Sequence, residues 1–473
     1  MLVGPPTTGA DWMSSARSPS VATRVLDAFD RFLHVEAVSG IVLLITAAAA
    51  LLWANSPLGA SYQHLWHTPL TLAVGGWTIS QPLHFWINDG LMTIFFLVVG
   101  LEIRREMHVG TLANLQVASL PLAAALGGVA VPALMYLAFS TDSAVRQGWA
   151  VPTATDIAFA VGILALLGRA VPAALRVLLL SLAVIDDLAA IIVIAVFYSG
   201  ELAPSGLLIA VAGVLLVVVL QRLGVRSAFA YIAPGALLWF GLLRFGVHPT
   251  LAGVVLGLLT PTASEEEGGE SPARTAARAL RNVRRRSRAA HADMEHLAPA
   301  LRQLKHAQRE LLPPTVRVQM ALHPWVAYGV MPLFALANAG IALDGLNLDA
   351  PESRSVALGV FLALVAGKPL GIVFASWVAV RAGWCRLPQE INWKLMTLLG
   401  CLGGIGFTMA IFIATLAFPD EGLLNAAKFG VVTASAIAAV LGLALGFMLL
   451  KSPAARRAAA RRENAIDPAL YRK

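Results

Sequence analysis

Four ionisable residues lie well inside long apolar stretches of this sequence: Asp156, Asp186, Asp187 and Lys368. Placing such a side chain at the centre of a membrane helix costs about 2.5–3.5 kcal/mol, so residues of this kind usually serve a function. The alternative is a structural ion pair that fixes helix packing. A single lysine cannot neutralise three aspartates, however, and some of the carboxylates must therefore bind protons or a metal cation.

Burial disfavours the charged form of a carboxylate, whereas a nearby ammonium or sodium ion favours it. A site with both influences can exchange one cation for another. Sodium is a hard ion that favours oxygen ligands, and carboxylates, the Thr155 hydroxyl and the freed carbonyls of an unwound helix are ligands of this type. The sequence therefore predicts that these residues exchange cations.

Neighbouring side chains on a helix point about 100° apart, so Asp186 and Asp187 are expected to have different roles. We predict that Asp187 reaches the cation directly, with Asp156 and Thr155 contributing. Asp186 is predicted to alternate between protonation and an ion pair with Lys368.

The composition places these residues in a membrane protein. Of 473 residues, 58% are hydrophobic and only 13% are charged, which is unlike a soluble domain. The net charge of +8 does not indicate nucleic-acid binding, because the arginines lie in short loops, a polar insert and the tail, where orientation in the membrane explains them. The two cysteines, Cys385 and Cys401, lack metal-ligand spacing and an evident disulfide partner, so no cofactor is predicted.

Apolar windows of about 20 residues, the length that crosses a hydrocarbon core of roughly 30 Å, recur along the chain. They predict an all-α polytopic membrane protein with about 12 transmembrane helices. The predicted spans are 36–54, 84–103, 117–139, 150–168, 175–199, 204–221, 227–244, 247–260, 324–343, 356–380, 395–417 and 424–450.

Polar segments divide the chain further. The predicted parts are an N-terminal tail at 1–35, spans 1–8 at 36–261, a polar insert at 262–316, spans 9–12 at 317–450 and a C-terminal tail at 451–473. Lysine and arginine are concentrated in the loops on one side, which predicts that both tails and the insert are cytoplasmic. Residues 55–83 contain no lysine or arginine and alternate around Gly75 and Gly76, which predicts an extracytoplasmic hairpin and a dimer contact.

Two spans contain residues that interrupt a membrane helix. The fourth contains Pro152 next to Thr155 and Asp156, and the eleventh is rich in glycine. Each is the middle helix of a three-span unit, spans 3–5 and 10–12, as expected for inverted-topology repeats whose interrupted helices cross near the middle of the bilayer. Close packing of glycine-rich helices is the alternative explanation. The nearby acidic residues favour an ion site, and its predicted crossing backbone consists of Gly404, Gly406, Phe407 and Thr408.

Four segments resemble the signature segments of the NhaA family of sodium/proton antiporters. They are ATDIAFA at 154–160, VIDDLA at 184–189, GKPLG at 367–371 and GIGFTM at 404–409, and their order and spacing match from the first span to the twelfth. This family is itself a known example of inverted repeats. The resemblance implies a homodimer in the bacterial inner membrane and electrogenic exchange of cytoplasmic Na⁺ or Li⁺ for external H⁺, with activity that rises at alkaline pH. It also implies that Asp186 and Asp187 form the core of the site, supported by Asp156, and that Lys368 pairs with Asp186.

The resemblance extends to residues associated with pH response. Glu102 and Glu106 share one helix face and match glutamates of the cytoplasmic funnel, although a solvated helix end explains them equally well. His248 matches a family histidine, and imidazole titrates in the useful range, but a structural role is the alternative. His323 is a further candidate.

The sequence departs from the family pattern in two places. Gln319 and Met320 stand where well-known members carry an acidic residue and a histidine, so the pH profile is not carried over. Ala410 replaces a serine near the crossing.

Three other classes of membrane protein fit less well. An intramembrane aspartyl protease also buries paired aspartates, but its Gly-x-Gly-Asp segment is missing from the sequence. A symporter of organic anions uses a similar crossed-helix fold, but three acidic residues disfavour an anion. A channel would pass current without a coupled proton gradient. We therefore predict a secondary active transporter, not an enzyme, whose partners are Na⁺, Li⁺, H⁺ and membrane lipid.

Overall fold

The computed structural model describes residues 21–74, 77–140, 142–200, 202–225, 227–262, 281 and 313–450. Helices dominate these residues. The helices before the insert are α1 (Val21–Ala54), α2 (Gly59–His67), α3 (Leu83–His108), α4 (Leu115–Phe139), α5 (Ser143–Thr153), α6 (Ile157–Leu166), α7 (Ala173–Phe197), α8 (Pro204–Arg222), α9 (Ala228–Phe245) and α10 (Leu251–Leu259). Those after it are α11 (Pro314–Asn338), α12 (Pro351–Arg381), α13 (Trp393–Gly403), α14 (Phe407–Ala417) and α15 (Glu421–Leu450).

The apolar helices confirm the predicted all-α polytopic membrane protein. Among the described residues, eight helices are long and apolar enough to cross a membrane, and up to eleven spans result if each bent helix pair counts as one. The bent pairs are 38–54 with α2 (110°), α5 with α6 (46°) and α13 with α14 (47°). The predicted eighth span at 247–260 corresponds to α10, which has only 9 residues. The number twelve is therefore not confirmed.

A small hairpin connects α2 to α3. Strands β1 (Pro69–Val74) and β2 (Trp77–Pro82) pair antiparallel, from Pro69 opposite Pro82 to Val74 opposite Trp77. Its location on the outer face and its role in a dimer stay predictions.

The predicted polar segments fall mostly outside the described residues. Residues 1–20, nearly all of the insert at 262–316 and the C-terminal tail at 451–473 belong to this group. Helix α1 begins at Val21, inside the segment that the sequence assigned to a tail ending at residue 35.

Two helices are interrupted in the core, as predicted for the fourth and eleventh spans. Helix α5 ends in a 3₁₀ turn that contains Pro152, and α6 begins after Asp156, whose side chain accepts a hydrogen bond from Phe159 N. Proline lacks a backbone donor and an N-cap aspartate favours a new helix start, so the break follows from local sequence. Helix α13 ends at Gly403 and α14 begins at Phe407.

Among the described residues, three helices contain a short π-helical segment, a feature that often marks functional sites. These segments are Trp86–Leu91 in α3, Val326–Val330 in α11 and Ala363–Gly367 in α12. The last one ends directly before Lys368, so its wider turn sets the direction in which the lysine leaves the helix.

Candidate ion-binding site

The two interrupted helices contact each other through Asp156. Its backbone N–H donates to the Ile405 carbonyl at 2.7 Å. One carboxylate oxygen accepts from Phe159 N at 3.0 Å, and the other accepts from Thr408 N at 3.1 Å and from the Thr408 hydroxyl. Helix N-termini carry partial positive charge, and this carboxylate therefore stabilises the starts of both α6 and α14.

Lys368 and Asp186 form a buried ion pair beside this crossing. Lys368 Nζ lies 2.7 Å from Asp186 Oδ2, and it also donates to the Thr153 carbonyl at the end of α5. The C-terminus of a helix carries partial negative charge, so the ammonium is placed where both partners favour it. The predicted pairing of Lys368 with Asp186 corresponds to this contact.

Thr155 connects the ion pair to the other interrupted helix. Its hydroxyl oxygen lies 2.6 Å from Asp186 Oδ2 and 2.9 Å from the carbonyl oxygen of Gly403, the last residue of α13. The sequence placed Thr155 with Asp187 and the cation. In the structure its hydroxyl is directed to Asp186, because the extended residues after α5 run past that carboxylate.

Asp187 has a different environment from Asp186. It is 1% exposed, and its Oδ1, like Oδ1 of Asp186, has no hydrogen-bond partner among the described residues, but it is Asp186 Oδ2 that binds Lys368 and Thr155. Asp186, Glu102 and Asp156 are its acidic electrostatic neighbours, with Lys368 as the cationic one. A buried carboxylate oxygen without a donor is costly unless the group binds a proton or a cation.

The predicted crossing backbone is buried around these carboxylates. Thr408 and Ile405 are fully buried, and Gly404 lies against α12, where a Cβ atom would come within 2.6 Å of the Leu364 carbonyl oxygen. Phe407 N donates to Ser435 Oγ at 3.1 Å. Within the described part of the chain, no group of three or more His, Cys, Asp or Glu side chains is arranged as a metal-ion site.

Residues 30–445 match the family described as Na⁺/H⁺ antiporter 1. The chain belongs to this family. The resemblance found in the sequence is thereby confirmed over the whole apolar part of the chain.

Curated relatives agree with this assignment over nearly their whole length. A protein named Na⁺/H⁺ antiporter NhaA from Cupriavidus necator is 58% identical over 91% of this chain and 92% of its own length. Na⁺/H⁺ antiporter NhaA 2 from Pseudomonas putida is 59% identical over 93% of this chain and 96% of that protein. Na⁺/H⁺ antiporter NhaA 2 from Sorangium cellulosum is 53% identical over 99% of this chain and 98% of that protein.

The two glutamates that the family resemblance singled out lie at the end of α3. Arg105 is close to both, with its Nη2 at 3.8 Å from Glu102 and 3.7 Å from Glu106. Arg105 Nη1 also donates to Gln319 Oε1 at 3.2 Å. Gln319, which cannot titrate, thus takes part in the same cluster as the glutamates.

The two histidines lie outside α3: His248 comes just before α10, and His323 is on α11. His248 Nδ1 is 3.4 Å from Asp89 Oδ1 and 3.3 Å from Thr250 Oγ1, and its ring packs on Phe412 of α14. His323 is half-buried in α11. Their roles in pH response stay predictions.

Several groups of the site carry no signal in the sequence. The carbonyls of Thr153 and Gly403 are backbone atoms, and any residue type supplies them. Ser435 is one serine in a long apolar helix, and small hydroxyl residues are common there. Only a prediction of which helices cross could have found these partners.

Proposed function

We propose that the chain is an electrogenic Na⁺/H⁺ and Li⁺/H⁺ antiporter of the bacterial inner membrane. It exports cytoplasmic sodium in exchange for external protons by alternating access at the buried aspartates. The observation that carries this proposal is a pair of adjacent, buried carboxylates: Asp186 Oδ2 is bound to Lys368, and Oδ1 of both Asp186 and Asp187 has no hydrogen-bond partner in the described residues. The names of the curated relatives support the same activity.

The exchange follows from competition for the carboxylates. A proton on Asp187 removes an uncompensated charge from the low-dielectric interior, and a sodium ion does the same, so either one stabilises the site and each displaces the other. Asp186 is the second carboxylate within reach of such an ion. Thr155 and Asp156 support the site from the crossing.

The ion pair can couple a second proton to the same event. When a cation draws Asp186 Oδ2 away, Lys368 loses its carboxylate partner, and an isolated buried ammonium is costly. Release of the lysine proton together with the Asp187 proton would exchange two protons for one sodium ion. Net charge then moves across the membrane.

Alternating access needs a barrier that moves past a fixed site. The interrupted helices can act as the hinge for this movement, because α6 and α14 both begin at the crossing and are held there by Asp156. Both tails and the insert are assigned to the cytoplasm, and a homodimer in membrane lipid is the expected assembly. No organic cofactor and no nucleic acid take part.

The proposal is tested in everted membrane vesicles that carry a respiratory proton gradient. Na⁺, Li⁺ or K⁺ is added at several pH values, and proton movement is followed with a pH-sensitive fluorescent dye. Asp187→Asn should abolish sodium-dependent proton movement, whereas Asp349→Asn, at an exposed loop aspartate, should retain it. If the intact, membrane-inserted protein moves no protons with any of the three cations, the antiporter assignment is wrong and organic-anion symport is tested next.

A further inference from the structure

Helix α7, which carries Asp186 and Asp187, makes a second polar contact at a residue that the proposed exchange does not use. Ser181 is buried on α7, and its Oγ lies 3.0 Å from Thr111 Oγ1. Thr111 belongs to the turn between α3 and α4. This hydroxyl pair therefore joins the aspartate-bearing helix to a connector far from it in sequence.

Thr111 is itself fixed by a carboxylate. Glu106 Oε2 accepts from Thr111 N at 2.9 Å and from Thr111 Oγ1 at 3.1 Å. The other oxygen of Glu106 lies 3.7 Å from Arg105 Nη2. A short polar chain thus runs from the arginine through Glu106 and Thr111 to Ser181.

We infer that Ser181 is a positioning residue for the cation site: through Thr111 and Glu106 its hydroxyl holds α7 in place against the end of α3. This inference rests on the proposed exchange function and names a residue that tunes cation affinity.

The physical reason lies in the difference between apolar and polar packing. Apolar side chains of membrane helices pack by van der Waals contact, which has little directional preference and lets a helix slide or rotate by fractions of an ångström. A hydrogen bond between hydroxyls fixes both distance and orientation. Ser181 is five residues from Asp186, about 7.5 Å along a rigid helix, so a shift at the serine moves both aspartates.

Cation ligands tolerate little displacement, and functional groups are held to within about 0.5 Å by residues around them. Ser181 does not touch the proposed cation ligands. Its loss should therefore change how well the carboxylates are placed, while the exchange chemistry remains.

The inference is tested by sodium-dependent exchange in proteoliposomes, from which the apparent KM for sodium and the maximal rate are both obtained. Ser181→Ala should raise the apparent KM about fivefold, the effect of losing one hydrogen bond, with little change in the maximal rate. Ser181→Thr, which keeps the hydroxyl, should restore the KM. Ser376→Ala is the matched control, since Ser376 is a buried hydroxyl on α12 with no hydrogen-bond partner in the described residues.

Thr111→Val removes the partner hydroxyl, so the effects of Ser181→Ala and Thr111→Val on the apparent KM for sodium should not be additive. The KM of the double variant should equal that of Thr111→Val alone, because Ser181 has no partner hydroxyl left to bind once Thr111 is replaced. An unchanged KM in Ser181→Ala, a loss of maximal rate without a change in KM, or additive effects in the double variant would each overturn the inference.

A failure of the exchange function is distinguished from a failure of this inference. If the intact protein shows no sodium-dependent exchange, the proposed function fails. The hydrogen bond is then still measured by thermal unfolding of the intact protein, Ser181→Ala, Thr111→Val and the double variant. Coupling between the two substitutions supports the positioning contact, and simple additivity contradicts it.

Discussion

Lys368 Nζ lies 2.7 Å from Asp186 Oδ2, and both side chains are only 1% exposed. Removing one partner of such a pair leaves an uncompensated buried charge, whereas removing both does not. The pair connects α7 with α12, so breaking it should affect the packing of these two helices as well as cation exchange.

We expect Lys368→Ala to lower the free energy of unfolding by about 3–5 kcal/mol, because Asp186 then stays buried without its ammonium partner. The double variant Lys368→Ala with Asp186→Asn should recover a large part of this loss. The free energy of unfolding of the single and the double variant is measured in detergent, by heat or by denaturant. Lys394→Ala, at an exposed lysine, is the control. A double variant no more stable than Lys368→Ala would contradict the ion-pair interpretation.

Asp156 and Asp187 should differ in what they contribute to stability. Asp156→Ala leaves Phe159 N and Thr408 N without their acceptor, at a cost of about 1–3 kcal/mol for each buried donor. Asp187→Ala removes a carboxylate whose Oδ1 makes no hydrogen bond with the described residues, and it should destabilise far less. Thermal unfolding of the two variants side by side decides the point. Equal losses would show that Asp156 does not hold the crossing.

The charged residues were the part of the site that the sequence could predict. Asp156, Asp186, Asp187 and Lys368 are conspicuous because ionisable side chains are costly in apolar helices, and the structure brings them to one crossing. The helix breaks were equally predictable, since Pro152 and the glycines of α13 are local signals.

What could not be predicted depends on contacts between distant segments. Lys368 reaches the Thr153 carbonyl across 215 residues of chain, and no residue type marks that acceptor. The π-helical segment before Lys368 likewise has no compositional signature. Helix α10 shows a third limit, because its apolar residues resemble a full span while Pro249 and Thr260 leave only 9 of them helical.

Thr155 should act through its hydroxyl, because that group bridges Asp186 and the Gly403 carbonyl. Thr155→Val keeps the shape and removes the donor, and we expect it to cost about 1–3 kcal/mol of unfolding free energy and to raise the apparent KM for sodium. Thr155→Ser keeps the hydroxyl and should leave the unfolding free energy and the apparent KM for sodium close to those of the intact protein. Thr433→Val is the control, since the Thr433 hydroxyl binds a carbonyl of its own helix. A serine variant as impaired as the valine variant would show that the methyl group, not the hydroxyl, matters.

Gly371 should be intolerant of a side chain. It packs directly on Gly127 of α4, and a Cβ atom at residue 371 would lie 2.1 Å from the Gly127 carbonyl oxygen. Backbone atoms cannot yield as a flexible side chain does, so Gly371→Ala must separate α12 from α4, at a typical cost of about 1–3 kcal/mol. Lys368 is one turn away on the same helix, and its distance to Asp186 should change with the separation.

Gly371→Ala is therefore expected to lower the thermal unfolding midpoint and to weaken sodium-dependent exchange together. Gly329→Ala is the matched control, because an added Cβ there meets nothing within 4 Å. If Gly371→Ala were as stable and as active as Gly329→Ala, the close approach of α4 and α12 would not be what positions Lys368.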